Sequence, residues 1–396
     1  MSFEFRKGFE KLEEYNVQQV DSDIIVNANE CNYNVPEKIH EYVNEMIKDF
    51  SFNRYPPMES TAFCEAIAQD TGFNSNQVVF GNGSSELLQQ ACYIFGGPGK
   101  KIAYPSPSFS MYGVYTQLSD SIEAPYSLTC DGFIDADKLI AFCEVEKPSL
   151  LIICNPNNPT GNYNDLSVIE KILKNVKCPV ITDEAYMEFA KDCDDSPKLD
   201  SLSTKEENAK SSLVLYPKYN NFLCLRTFSK AYGLAGMRIG YGVGADEIIQ
   251  GMKKVNLPYS INAISLKVGE YVYKNKNLYN DRIKLFIVER EKMRKVLEAQ
   301  GFSVYPSKTN FLLFKPKEKL IQSLASAFKQ ENPNFSDNSK TDLMLAGKQV
   351  FNGFLKQRIL VRDFSMHPIL QGCLRLSLGT VLENEIIAKA IKEGLK

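Results

Sequence analysis

Cys224 to Tyr241 reads CLRTFSKAYGLAGMRIGY, and the reading of this stretch decides the fold. It is preceded by Phe222 and Leu223, so it opens as a short buried apolar strand. The strand gives way to Thr227, Phe228, Ser229 and Lys230, then to a glycine-punctuated segment that ends at Arg238. A lysine amine at the end of a core strand can form a Schiff base, while the neighbouring hydroxyls of Thr227 and Ser229 and the guanidinium of Arg238 can hold a phosphate. A strand-end lysine that merely reaches solvent is the plainer alternative, and the rest of the chain must decide between them.

The chain has 396 residues, enough for a full core and two domains. Its 44% hydrophobic and 24% charged residues are those of an ordinary soluble globular protein. A net charge of -2 argues against a nucleic-acid partner, which calls for a basic excess. The ten cysteines form no CxxC pair, and with two histidines they offer little to a metal, so none is expected. Several cysteines, Cys154 and Cys224 among them, sit in apolar runs and read as reduced thiols of a cytoplasmic protein. The opening MSFEFRKGFEKLEEYN is too charged for a signal peptide, and no apolar run approaches membrane-spanning length.

Residues 1–35 look irregular, and a helix follows from Pro36 with Ile39, Val43, Met46, Ile47 and Phe50 along one face. The prolines after Asn53-Arg54-Tyr55 impose an extended path that displays Tyr55. From Val78 onward strands and helices alternate, and polar groups gather at the strand ends. Val78–Phe80 leads into Gly81-Asn82-Gly83-Ser84-Ser85 and a helix, a turn that lets backbone N–H groups approach an anion. Lys101–Tyr104 leads to Phe109, an aromatic that can lie flat on a ring or simply fill core. Leu150–Cys154 ends in Asn155-Pro156-Asn157-Asn158-Pro159-Thr160-Gly161, whose prolines stiffen the loop that carries Asn158. Pro179–Thr182 ends in Asp183-Glu184-Ala185-Tyr186; a carboxylate there is costly unless paired, or serves to cap a helix.

Further on, Asp192–Ser212 reads as a polar surface excursion, and periodicity stays loose between Val243 and Tyr279. A long amphipathic helix then runs to Gly301, followed by a strand at Asn310–Phe314, a helix near Leu320 and a polar stretch, Gln330–Asp342, that looks inserted. Strands at Ile359–Phe364 and Cys373–Leu378 carry Arg362 and Arg375, and the last helix opens on a Thr380–Glu383 capping box.

The combination NPNNPTG, DEAY and SKAYGLAGMR resembles the pyridoxal-phosphate aminotransferases of fold type I, and RTFSKAYGLAGMRIGY with ILVRDF and CLRLSLGT is most similar to their histidinol-phosphate aminotransferase branch. The resemblance runs from Tyr15 to Gly379 and implies an α/β fold. A large domain over 45–277, with a mostly parallel seven-stranded sheet, would bind pyridoxal 5'-phosphate. A smaller α+β domain would combine 278–396 with an N-terminal arm, 1–44. It also implies roles. Lys230 would be the Schiff-base lysine and proton shuttle, and Asp183 the partner of the pyridine nitrogen. Asn158 and Tyr186 would reach the ring oxygen, and Phe109 would stack on the ring. Gly83, Ser84, Ser85, Thr227, Ser229 and Arg238 would hold the phosphate, joined by Tyr55 from the second subunit of a homodimer. Tyr15, Arg362 and Arg375 would grip substrate, with L-glutamate and 2-oxoglutarate as the amino donor and its keto acid. An aromatic or broad-range aminotransferase and a threonine-phosphate decarboxylase share these motifs. A regulatory protein that only binds the cofactor is the alternative from another class.

Overall fold

The structure, a computed structural model, describes residues 9, 12, 20–58, 60–191, 210–215, 218–335, 337 and 339–394. Tyr15 lies outside the described residues, as do positions 192–209 of the first polar stretch and 336 and 338 of the second. In chain order the strands are β1 (Ile24–Ile25), β2 (Val78–Gly81), β3 (Lys101–Ser106), β4 (Ile122–Ser127), β5 (Leu150–Cys154), β6 (Val180–Asp183), β7 (Phe222–Thr227) and β8 (Gly240–Gly244). The rest are β9 (Phe302–Val304), β10 (Phe311–Pro316), β11 (Ile359–Leu360), β12 (Arg362–Phe364) and β13 (Cys373–Ser377). The first four helices are α1 (Glu37–Lys48), α2 (Thr61–Thr71), α3 (Ser84–Phe95) and α4 (Met111–Leu118).

Seven strands form one sheet in the order β2-β8-β7-β6-β5-β3-β4. All its pairings are parallel except those of β8 with β2 and β7, so β8 alone runs against the others. Every residue of β5, β6 and β7 is buried, as a central parallel strand between two helical layers requires. That burial explains the continuous apolar runs, and it sends the chain's polar groups to the strand ends. The carboxyl ends of β2, β3, β5, β6 and β7 fall on one edge of the sheet, where ligands of doubly wound folds bind.

A second sheet, β12-β13-β10-β9, is antiparallel throughout. Its register sets Arg362 directly opposite Arg375. A third pairing joins β1 to β11 in parallel, and so ties the N-terminal arm to the C-terminal third of the chain.

Several expectations need correcting. The span between Val243 and Tyr279 holds two helices, Asp246–Val255 and Ala263–Lys274. The first buries only Ile248, Ile249 and Met252, too narrow a stripe to stand out; its acidic first turn and basic last turn were the better signal, since both suit the helix dipole. Ile359–Phe364 is two strands in two sheets, because the chain leaves β1 at Leu360 and joins β13 at Arg362. Gln330–Asp342 is the connection between helices Glu318–Glu331 and Asp342–Lys356, the second of which the sequence reading missed. In α1 only Ile39 is buried and Ile47 is exposed, so the expected apolar face is partly open. The final helix keeps its capping box, with Thr380 and Glu383 each satisfying the other's backbone N–H.

Candidate active site

One cavity of about 1020 Å³ lies along the carboxyl edge of the large sheet. Among its lining residues are Gly83, Ser84, Ser85, Phe109, Asn158, Asp183, Tyr186, Thr227, Ser229, Lys230, Arg238, Arg362 and Arg375. Thirteen residues chosen from the sequence, scattered from 83 to 375, thus meet in one space. Tyr55 does not join them: it is exposed and stacks on Tyr259 with ring centroids 4.5 Å apart.

At one end the turn after β2 meets Arg238. Gly83 adopts φ +82 and caps α3 without a side-chain acceptor, which leaves the first N–H groups of that helix facing the cavity. A Cβ on Gly83 would lie 2.7 Å from the Arg238 guanidinium. Arg238 donates to the Ala235 carbonyl at 3.0 Å and the Asn82 carbonyl at 3.5 Å, which fixes it against the same turn. Thr227 donates to the Ser229 hydroxyl at 3.0 Å and accepts the Ser229 N–H at 3.1 Å. Helix N–H groups, hydroxyls and a guanidinium converge here, a donor set suited to a phosphate.

The middle of the cavity is built from β5, β6 and β7. Asp183 accepts the Tyr112 hydroxyl at 2.8 Å and the Ala185 N–H at 3.3 Å. Both donors are neutral, and burial lifts its carboxyl from the ordinary 3.8 to about 6. No α-helix starts at Asp183, so capping does not account for it. A buried carboxylate so poised favours a cationic N–H from a ligand ring. Tyr112 was missed by sequence reasoning; a tyrosine fully buried on α4 gave no sign of its partner.

Lys230 donates to the Ala28 carbonyl at 3.1 Å. Burial, chiefly, and then the Arg375 and Arg238 guanidiniums bring its ammonium down to about 8, while Glu30 opposes them. A large share of the amine is therefore neutral just above neutral pH, as a nucleophile or base requires. Arg375 donates to the Asn158 side-chain oxygen and, at 2.6 Å, to the Asn27 carbonyl. With that oxygen engaged, the Asn158 amide is left to donate into the cavity. Likewise Tyr186 accepts from the Asn29 amide at 2.9 Å, which leaves its own O–H to donate. Asn27 and Asn29 were also missed: residues 27–30 fold beneath the cavity only because β1 pairs with β11.

At the other end stand Arg362 and Arg375, with Phe364, Met366, His367 and Leu370. Phe109 meets Tyr112 edge to face at 5.6 Å and lines the same space. Among the described residues no group of three or more histidine, cysteine or acidic side chains is placed to hold a metal, and no helix is long and apolar enough to cross a membrane.

The whole chain is also similar to known proteins. The family model described as aminotransferase class I and II matches residues 22–391. The chain is 31% identical over 390 residues to a histidinol-phosphate aminotransferase of Thermoanaerobacter pseudethanolicus, covering 98% of this chain and 97% of that protein. It is 31% identical over 385 residues to that of Pyrococcus furiosus, covering 97% and 96%. In fold it is similar to the Sinorhizobium meliloti histidinol-phosphate aminotransferase solved in complex with pyridoxal-5'-phosphate, with a TM-score of 0.76, 20% identity, and 94% and 91% of the two chains covered. The Clostridium acetobutylicum enzyme of the same name also superposes with a TM-score of 0.76, at 22% identity, covering 94% and 99%.

Proposed function

The chain belongs to the class I and II aminotransferases, enzymes that work with pyridoxal 5'-phosphate, and we propose that it moves the amino group of L-histidinol phosphate to 2-oxoglutarate in histidine biosynthesis. The observation that carries this reading is the placement of two guanidiniums opposite each other, Arg362 and Arg375, in the same cavity as Lys230 and Asp183. One arginine suffices for the α-carboxylate of an ordinary amino acid, whereas two suit a substrate that carries a dianionic phosphate in place of that carboxylate. The relatives' names point the same way.

The residues present fit the cofactor at both ends. Its phosphate would take the helix N–H groups of Ser84 and Ser85, the hydroxyls of Thr227 and Ser229, and Arg238. Its ring nitrogen would answer the raised carboxyl of Asp183, and its ring oxygen would accept from Asn158 and Tyr186. When bound, the cofactor serves as the electron sink for the carbon that carries the amine. The chain's own groups do the rest. Lys230 provides the amine that holds the cofactor and, once displaced, carries a proton on Nζ between the two carbons that exchange it. Asp183 keeps a proton on the ring nitrogen. Phe109 would cover the ring, and Arg375, which donates to the Asn158 side-chain oxygen, would join that asparagine to the substrate's anionic group.

The same reading divides the chain into a large unit over 45–277 and a small one from 1–44 and 278–396, places Tyr15 with the substrate arginines, and makes the protein a cytoplasmic homodimer that shares its sites through Tyr55. The test is direct: purified protein, loaded with pyridoxal 5'-phosphate, is given L-histidinol phosphate and 2-oxoglutarate and assayed for glutamate. Turnover of phenylalanine with none of histidinol phosphate would replace this reading with that of an aromatic aminotransferase.

A further inference from the structure

Three carboxylates line the cavity: Asp183, Asp363 and Glu30. Asp183 is held by Tyr112 and the Ala185 N–H, and Asp363 by Lys348 and Ser365. Glu30 differs. Among the described residues no hydrogen bond or ion pair reaches its carboxylate. Its backbone is nonetheless pinned. The preceding Asn29 N–H donates to the Ser377 hydroxyl at 3.0 Å, and the Asn29 side chain accepts from that same hydroxyl at 2.9 Å. Glu30 is exposed and still lines the cavity, so it stands where the cavity meets solvent, near enough to Lys230 to act on its charge.

The distal walls supply complementary surfaces. Arg362 and Arg375 answer anions, and Phe364, Met366 and Leu370 offer apolar contact to a flat ring. A ring packed against such side chains keeps an N–H that still needs an acceptor. Building on the histidinol-phosphate reading, we infer that Glu30 is a specificity residue whose carboxylate accepts the hydrogen bond of the substrate's imidazole N–H, and so favours imidazole-bearing amines over carbocyclic ones. Discrimination works in both directions. An imidazole gains a charge-assisted hydrogen bond, whereas a phenyl ring strips water from a carboxylate and returns nothing.

The test uses the full chain with its cofactor. For the wild type, Glu30→Gln and Glu30→Ala, kcat/KM is measured with L-histidinol phosphate and with L-phenylalanine, and retained cofactor absorbance reports the fold. Glu30→Ala is expected to lower kcat/KM for histidinol phosphate about tenfold, with a loss below twofold or a gain for phenylalanine. The near-isosteric Glu30→Gln, which keeps an acceptor oxygen and drops the charge, should fall between. Equal losses for both substrates would assign Glu30 to Lys230 or to the fold, and no loss for either would remove it from recognition; both overturn the inference. Should the wild type reject histidinol phosphate, the functional reading fails by itself. L-histidine and L-phenylalanine, which differ only in the ring, then carry the same comparison, and equal losses on that pair would again overturn the role of Glu30.

Discussion

At the residue scale, Lys230 and Asp183 show how one buried edge tunes two groups in opposite senses. Burial lowers the lysine to about 8 and raises the aspartate to about 6, so the two approach each other across neutral pH. Cofactor capture by the empty protein needs the neutral Lys230 amine. Its rate, followed by absorbance, is therefore expected to rise with pH through about 8 and level off above. Lys230→Ala should bind the cofactor without covalent attachment and lose transamination by about a thousandfold or more, because nucleophile and proton carrier vanish together. Wild-type turnover in that variant would reassign the site. Asp183 gives a prediction with a sign. Its folded value lies above the ordinary 3.8, so the protonated form favours the fold, and that contribution is lost as pH rises through about 6. Above pH 6 the cofactor-free protein thus holds a costly buried charge. Asp183→Asn should melt higher than wild type at pH 8, by about 3 kcal/mol at most, with the gap closing toward pH 4, while kcat of the loaded enzyme falls. A variant destabilised at pH 8 would show that the carboxylate is compensated without any ligand.

At the element scale, the sheet edge was legible because burial on both faces leaves a strand no choice of composition. β5 falls on the residues the apolar run marks, Asp183 closes β6, and Asn158 and Lys230 lie in the turns that follow β5 and β7. Helices were harder: Asp246–Val255 and Asp342–Lys356 carry their apolar residues among charges and amides, and both were passed over. Contacts between distant segments were invisible, which is why Tyr112, Asn27 and Asn29 emerge only in three dimensions. The turn that opens α3 shows what a single atom can disturb. Gly83→Ala adds a Cβ to a φ of +82 and drives it to 2.7 Å from Arg238, the group proposed to hold the cofactor's phosphate. Strain and displacement together should cost about 1–3 kcal/mol, seen as roughly 10- to 100-fold weaker cofactor binding in an equilibrium titration. The paired strands β12 and β13 carry a different expectation. Removing one charge-assisted bidentate contact costs about 2–4 kcal/mol, or roughly 30- to 1,000-fold. Arg362→Ala should therefore damage histidinol phosphate turnover far more than phenylalanine turnover, and equal losses would make Arg362 structural.

At the scale of the whole molecule, Tyr55 is the residue that a single chain does not explain. It is 80% exposed, it stacks on Tyr259 at 4.5 Å, and it lies outside the cavity. The two segments joined by that stack also expose Phe52, Met58 and Leu257, more apolar surface than solvent-facing loops ordinarily show. In the proposed homodimer a second copy of the chain covers this surface, and each Tyr55 reaches the partner's phosphate end. Subunit mixing separates this arrangement from one in which Tyr55 serves its own subunit. Lys230→Ala protein retains Tyr55, and Tyr55→Phe protein retains Lys230. If the site is shared, each mixed dimer holds one site with both residues intact and one with neither. Random exchange at equal amounts makes half the dimers mixed, so about a quarter of all sites regain wild-type activity. If Tyr55 acts within its own subunit, no site is repaired, and the mixture shows only the average of its parents. Activity of the equilibrated mixture well above both parents is the expected result, together with a dimer in equilibrium sedimentation. An active monomer would end the proposal at once, since Tyr55 does not line the cavity of its own chain.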